Sequence, residues 1–304
     1  MLPGARRRLA YGLLAITPGL WATNYIVGRA AVGVIEPHMM ALLRWCFALM
    51  LMLPFARRSL TMIPAAWRLE WRQMLVLGAL GMWICGAFVY EAARTANPTN
   101  MSLLYALAPV MIAASSARMF GERITASQML GIALAFAGML FVISKGSLEN
   151  LAAVRITRGD GWTVIAVISW TIYSLLLRKW QSSLDAFARV IVITFAGLLV
   201  LLPFTAVELA VKGLPDFSSP TLWLLVLVAA AAPGFGAYQA YSYMQRELGA
   251  AKTGLSLYLG PLWAALLSWA VLSDPPKWYH FAGAALILPG IWFATRAGSP
   301  GPRR

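Results

Sequence analysis

Long apolar stretches separated by short polar breaks run through the whole 304-residue chain. A transmembrane helix needs about 20 predominantly apolar residues to cross the hydrocarbon core. Ten stretches reach this length or come close to it, and most breaks between them carry charge, Pro or Gly. The pattern therefore predicts an all-α polytopic membrane protein with ten transmembrane helices, at 9–28, 37–56, 73–90, 95–117, 124–144, 161–177, 190–207, 219–244, 253–273 and 278–295.

One part of this pattern is written twice. Thr95–Gly146 and Glu247–Gly298 align without gaps at a shift of 152, which places Pro109 on Pro261. Each copy holds two long apolar runs joined by a short charged break. In membrane proteins such a repeat usually marks two structural halves around a shared site.

Weaker matches at a shift of 149 extend the repeat to the first and sixth helices, where Trp21 corresponds to Trp170. Each half then has five helices, and because five is odd, the second half enters the membrane from the opposite side. Such an inverted duplication allows two equivalent conformations, as alternating access requires. The predicted divisions are a first five-helix repeat, 1–146, an inter-repeat loop, 147–160, a second five-helix repeat, 161–298, and a C-terminal tail, 299–304.

Composition agrees with a membrane location, since 60% of the residues are hydrophobic and only 12% are charged. Soluble domains are about 45–50% apolar and about 25% charged. Assigning cations to alternate sides puts 17 Lys and Arg on the side of the termini and 7 on the other, with Arg44 inside a helix. Because Lys and Arg collect in cytoplasmic loops, both termini are predicted to be cytoplasmic. This distribution also explains the net charge of +14 without nucleic-acid binding.

Several short motifs recur in order along the two halves. They are Trp21, Gly28, Pro37, Arg44, Pro109, Gly121-Glu122-Arg123, Gly131 and Gly138, then Trp170, Gly249-Ala250-Ala251, Pro261, Gly283 and Gly290. In this order and duplication, nearly the whole chain resembles the drug/metabolite transporter superfamily, and within it the ten-helix family built from two EamA domains. One departure is Asp274-Pro275-Pro276, which stands where such proteins often carry Gly-Glu-Arg or Gly-Glu-Lys.

The resemblance implies a secondary transporter in the cell (inner) membrane that exports small organic metabolites. Amino acids or related compounds come first among the implied solutes, and a multidrug or other metabolite permease is the alternative. The expected partners are the solute, the lipid bilayer and a coupling proton.

No catalytic constellation is visible in the sequence. The only histidines, His38 and His280, have no Cys or carboxylate at metal-ligand spacing, and no phosphate-binding Gly-x-x-x-x-Gly-Lys loop is present. We therefore expect no enzyme activity, no metal and no cofactor. A membrane-embedded lipid-modifying enzyme would need buried acid–base or metal groups, and a non-transporting receptor or assembly subunit would be expected to carry larger soluble segments.

Arg44 is the sharpest candidate for a solute contact. It lies seven residues into the second predicted helix, about 10 Å deep at 1.5 Å per residue. Charges at such depth usually face a partner or a wet cavity, and a guanidinium pairs with carboxylates in a two-pronged fork. The alternative is a structural tie to a helix end or to Glu91.

Glu91 is the candidate for carrying a coupling proton or meeting a solute amine, because it follows Tyr90 near the outer end of the third predicted helix. A carboxylate at that depth can equally reach the interface as an ordinary surface charge. Both interpretations remain open at the level of the sequence.

Aromatic and polar side chains group on single faces of several predicted helices. Such faces indicate a side turned to the bundle interior, and their rings can hold an apolar solute by stacking. The alternative for any single residue is ordinary helix packing. The predicted cavity walls are Trp21, Asn24, Tyr90, Tyr105, Trp170, Tyr173, Tyr238, Tyr241, Ser256 and Trp263.

Pro109 and Pro261 fall near the middle of their predicted helices. A proline there removes a backbone hydrogen bond and frees a carbonyl, which membrane helices tolerate where protein or water satisfies it. Each proline is therefore predicted to act as a hinge or as a static kink beside the cavity.

Overall fold

The computed structural model describes residues 3–55, 61–96, 98–121, 124–152, 155–272 and 275–296, and all regular structure within these ranges is helical. A short helix, Leu148–Ala152, precedes the sixth of the long helical runs. We label the long runs α1 (Pro3–Ala31), α2 (Pro37–Met52), α3 (Ile63–Ala92), α4 (Pro98–Tyr105 and Leu107–Phe120), α5 (Ala126–Ile143), α6 (Arg158–Lys179), α7 (Ala186–Lys212), α8 (Pro220–Leu248), α9 (Ala250–Gly254, Leu255–Leu259 and Gly260–Leu272) and α10 (Trp278–Arg296).

Seven of these runs, α2 to α8, are long and apolar enough to cross a membrane, judged by length and composition over the described residues. The runs α1, α9 and α10 are outside that set. The all-helical membrane fold is therefore confirmed, while ten membrane spans remain a prediction.

Two helices begin earlier than their apolar runs predict, because polar residues cap them. The Asp160 carboxylate accepts a hydrogen bond of 2.6 Å from the Thr157 amide, and α6 begins at Arg158 rather than at 161. The Asp185 side chain accepts hydrogen bonds from the amides of Phe187 and Ala188, so that α7 begins at Ala186 rather than at 190. Such caps satisfy amides that have no partner within the helix.

The helices α5 and α10 pack against each other through glycines. A Cβ atom added to Gly131 would lie 2.5 Å from the Gly290 carbonyl oxygen, and one added to Gly138 would lie 2.7 Å from that of Gly283. The glycine nearer the start of α5 thus contacts the glycine nearer the end of α10, so the two helices run antiparallel. Only hydrogen fits at these positions, in agreement with the close packing that small residues allow between membrane helices.

Both α3 and α8 contain a π-helical segment, Ala79–Ile84 in the first and Ala230–Gly236 in the second. At a shift of 152 these segments overlap, so the wider turn occurs at the same place in each repeat. Pro233 lies inside the second segment and has no amide hydrogen to donate. Single π turns within α-helices are uncommon and occur often at functional sites.

Pro109 and Pro261 lie within the long runs α4 and α9, and each follows a local interruption of the α-helix. Pro109 belongs to the first turn of Leu107–Phe120, directly after a break at Ala106, and Pro261 belongs to the first turn of Gly260–Leu272. A 3-10 segment separates that helix from the preceding one. Proline suits a first helical turn because its missing amide would have no partner there.

Candidate functional site

A cavity of about 70 Å³ lies in the bundle between α1, α2, α3, α4, α6, α8 and α9. Its wall combines one cation, one amide, several rings and a few apolar groups. The lining residues are Trp21, Asn24, Tyr25, Arg44, Cys85, Val89, Tyr105, Trp170, Tyr238 and Leu257. The structure thus brings together six of the residues predicted from the sequence, namely Trp21, Asn24, Arg44, Tyr105, Trp170 and Tyr238.

Arg44 is the charged group of the cavity, and its side chain is almost completely buried, with 2% of the residue exposed. One terminal nitrogen donates to the Asn24 side-chain oxygen at 3.3 Å and to the Tyr90 hydroxyl at 3.2 Å. The Tyr90 hydroxyl in turn donates to the same Asn24 oxygen at 2.8 Å. The Nε atom of Arg44 is buried and has no hydrogen-bond partner among the described residues.

The guanidinium of Arg44 is also held by an aromatic ring and by a close backbone. Its central carbon lies 4.6 Å from the centre of the Trp45 ring, a cation–π distance. A Cβ atom added to Gly234, in the π segment of α8, would lie 3.6 Å from Nε. The guanidinium is therefore held in place by neutral groups.

The tie between Arg44 and Glu91 that the sequence left open does not form. Glu91 instead lies 3.8 Å from Arg94, which also donates to Glu36 at 2.6 Å. The hydrogen bond to Glu36 raises the pKa of Arg94 above its ordinary value. Among the described residues, no carboxylate forms an ion pair with Arg44.

Five rings form a cluster on one side of the cavity, and each contacts at least two others. The Trp170 ring stacks on Tyr173 with centroids 5.2 Å apart. The Tyr241 hydroxyl shares a hydrogen bond of 2.8 Å with Ser174. We call this group the aromatic cluster, and its members are Trp21, Trp170, Tyr173, Tyr238 and Tyr241.

Side chains near the cavity are hydrogen-bonded to the π segment of α3. The Tyr238 hydroxyl donates to the Gly81 carbonyl at 2.6 Å, and the Trp45 indole nitrogen donates to the Met82 carbonyl at 2.9 Å. The Ser169 hydroxyl donates to the Leu80 carbonyl at 3.0 Å. Three successive carbonyls of the π segment thus receive hydrogen bonds from side chains of other helices. This link carries no sequence signal, because a π turn cannot be read from hydrophobic spacing.

Ser256 and Trp263 were predicted as cavity walls, and the structure places neither in the lining. The Ser256 hydroxyl donates to the Thr253 carbonyl at 2.7 Å, and the Trp263 indole donates to the Ala15 carbonyl at 2.6 Å. The prediction assumed one continuous helix, in which residues seven apart share a face. The 3-10 segment Leu255–Leu259 changes the rotation per residue between them.

The sequence offered little signal for the other lining residues. Cys85 and Val89 are ordinary residues of an apolar run, and Tyr25 directly follows the predicted Asn24. A polar pair was also missed, since Glu208 of α7 accepts hydrogen bonds of 3.0 Å from the His38 amide and 2.8 Å from the Met39 amide. The His38 ring lies 3.0 Å from the same carboxylate. Glu208 thus caps the start of α2 from a distant helix.

An apolar helical bundle with a polar and aromatic interior cavity defines a multi-pass membrane protein. The model of the EamA-like transporter family matches residues 9–144 and 157–296. The chain belongs to this family and is therefore a transporter of the cell membrane. This confirms the resemblance to the drug/metabolite transporter superfamily, and the family model matches in two segments, as expected for a duplicated chain.

Similar proteins include other transporters from bacteria and archaea. The uncharacterized transporter YyaM of Bacillus subtilis is 27% identical over 73% of this chain and 72% of its own length. An uncharacterized transporter of Archaeoglobus fulgidus is 25% identical over 93% and 96%. The uncharacterized inner membrane transporter YedA of Escherichia coli is 24% identical over 84% and 81%. A solved crystal structure aligns with a TM-score of 0.72 at 18% identity over 96% of both chains, which supports the fold alone.

Proposed function

We propose that this chain is a secondary transporter that exports small organic metabolites by alternating access. The observation that carries the proposal is the interior cavity, where Arg44 is buried beside the aromatic cluster without a carboxylate partner among the described residues. Buried charges inside membrane bundles typically mark solute or ion pathways. Amino acids or related compounds are the solute class that the family resemblance implies.

Alternating access rests on the inverted repeat, 1–146 and 161–298, with both termini in the cytoplasm. Gly131 and Gly283 are equivalent in the two repeats, and so are Gly138 and Gly290. Exchanging the repeats therefore turns the contact of Gly131 with Gly290 into the contact of Gly283 with Gly138. A two-fold axis in the membrane plane would produce this relationship. The equivalent π segments of α3 and α8 support the same symmetry.

The size of the cavity indicates which stage of the cycle this conformation represents. Pockets for drug-sized ligands measure about 300–1,000 Å³, and this cavity measures about 70 Å³. A crevice of about 10 Å³ shares Asn24, Tyr25 and Val89 with it and continues past Gly28 and Arg29. We infer a contracted state in which rings must move before a solute can enter.

Within this site each group has a proposed role. Arg44, with Asn24 and Tyr90, binds the polar group of the solute, and the aromatic cluster with Tyr105 binds its apolar part. The same rings would suit an amphipathic drug, which keeps a multidrug permease as the second candidate. The breaks before Pro109 and Pro261 are proposed as the points where α4 and α9 bend.

The function is tested with purified protein in lipid vesicles preloaded with an unlabelled solute. Counterflow of labelled amino acids, nucleobases, organic acids or drugs into such vesicles would support transport, and its absence for every class, with folded protein, would contradict it. Direction is tested by solute release from an overexpressing strain. Reporter fusions at both ends test the cytoplasmic termini, because a signal requiring the outer side would contradict the proposed orientation.

A further inference from the structure

The cavity wall contains a positively charged side chain and no negatively charged one among its lining residues. The cation is Arg44, which has no carboxylate partner among the described residues. A zwitterionic solute presents two opposite charges, and each needs a partner when water is removed. The wall as described offers a charged partner for only one of them.

We propose that the preferred solute is a monoanionic carboxylate with an apolar or aromatic body and no ammonium group. This inference rests on the proposed transport function and narrows its solute class. The carboxylate binds the guanidinium of Arg44, because a guanidinium offers parallel N–H donors that match the two oxygens of a carboxylate. The body of the solute lies against the aromatic cluster.

The carboxylates of the described residues lie outside the cavity lining, and several of them contact cations or hydroxyls there. Glu36 and Glu91 face Arg94, and Glu208 faces His38. Glu70 accepts from the hydroxyls of Ser182 and Ser183. The other described acids are the helix caps Asp160 and Asp185, together with Glu149, Asp216 and Glu247, none of which lines the cavity. Glu122 and Asp274 lie outside the described residues.

Aromatic rings can also bind an ammonium through their faces. In the aromatic cluster, however, the ring faces contact other rings. Trp170 stacks on Tyr173, and the edge of one indole meets the other between Trp21 and Trp170. Their faces are thus used by one another and form an apolar wall rather than an open cage. An ammonium in the same small cavity would also be repelled by Arg44 across a medium of low polarity.

Comparison of the two repeats shows that the charged side chain and the amide side chain of the cavity lining belong to the first repeat only. At a shift of 149, Arg44 corresponds to Ile193 and Asn24 corresponds to Tyr173. The second repeat therefore replaces the polar anchor with an apolar residue and a ring. A solute with one charged end and one apolar end matches this arrangement, with its carboxylate toward α2 and its body toward α6 and α8.

The test uses compounds that share an apolar body and differ in the charged groups that they carry. The first series is 3-phenylpropionate, L-phenylalanine, 2-phenylethylamine and the neutral 3-phenylpropionamide, and the second is hexanoate, L-norleucine and hexylamine. Binding to the wild-type protein in detergent is measured calorimetrically, and counterflow is measured in vesicles. In at least one series the acid is expected to bind about 10- to 100-fold more tightly than its amino-acid partner, as for a hydrogen-bonded charge.

A variant assigns the preference to the proposed group. Arg44→Gln is expected to remove the preference for 3-phenylpropionate over its amide while the amide still binds, which also reports that the variant is folded. Arg68→Gln removes an exposed cation of α3 and should change neither value. If Arg44→Gln does not fold, the wild-type series still decides the question.

The outcomes separate the two proposals. Equal or tighter binding of the amino acids in both series overturns the inference and leaves the transport function standing. Failure of both acids while another class of solute is transported overturns it as well. Absence of counterflow for every compound, including the wider solute screen, counts instead against the proposed function.

Discussion

The indole rings of Trp21 and Trp170, which occupy equivalent positions in the two repeats, meet edge to face with centroids 5.1 Å apart. The ring of Tyr241 lies against both, at 5.2 Å from Trp21 and 4.8 Å from Trp170. This contact joins the two halves of the chain beside the cavity.

Trp21→Ala is expected to lower counterflow by at least about tenfold. Removing a packed indole loses its edge-to-face contacts, each worth about 0.5–1.5 kcal/mol beyond area burial, and removes part of the proposed binding wall. Trp269→Ala, at an exposed indole of α9, serves as the matched control and should transport normally. Normal flux in Trp21→Ala would contradict a role for this ring in the pathway.

Tyr238→Phe is expected to destabilise the protein by about 1–3 kcal/mol, because it leaves the buried Gly81 carbonyl without its hydrogen bond of 2.6 Å. Thermal unfolding in detergent measures the change. Tyr11→Phe, at an exposed position of α1, is the control and should unfold like the wild type. An unchanged unfolding temperature in Tyr238→Phe would show that the π segment does not depend on this contact.

Gly138→Ala is expected to destabilise the protein by about 1–3 kcal/mol, the usual cost of overpacking. The new methyl group would lie 2.7 Å from the Gly283 carbonyl oxygen, and backbone cannot move aside as a flexible side chain can. Gly161→Ala is the control, because a Cβ atom there meets nothing within 4 Å. If both variants unfold at the same temperature, the close approach of α5 and α10 is not a source of stability.

Glu91→Gln is expected to keep the wild-type dependence of transport on a pH gradient. Glu91 lies beside Arg94, and its side chain is about one-third exposed (35%), so it fits a surface ion pair better than a proton-carrying group. Flux is measured in vesicles with and without an imposed gradient. Loss of the gradient effect, with counterflow retained, would instead assign the coupling proton to Glu91.

The helical membrane fold and the family could be predicted from the sequence because both rest on long-range patterns. Apolar runs mark the helices, and the shift of 152 marks the duplication. The starts of α6 and α7 could not be placed by apolar runs, since hydrogen bonds to the Asp160 and Asp185 side chains begin each helix several residues before its apolar run.

Six predicted residues line the cavity, including Tyr105 and Tyr238, which lie beside irregular turns of α4 and α8. Trp21, Asn24 and Arg44 lie on unbroken helices and reach the cavity as expected. Ser256 lies within the 3-10 segment of α9 and Trp263 lies beyond it, so a constant helical period misplaces them relative to each other. The pair of His38 and Glu208 joins helices 170 residues apart in sequence, and no local spacing indicates such a contact.

The glycine contacts between α5 and α10 have a consequence for how the two copies of the repeat can change over time. Gly131 abuts Gly290, and Gly138 abuts Gly283, so each glycine that one copy supplies faces the backbone of the other copy. A larger residue in either copy therefore disturbs both. Most positions of a duplicated chain can change independently in the two copies. These four glycines are constrained together, because a larger side chain at any one of them would clash with the other copy.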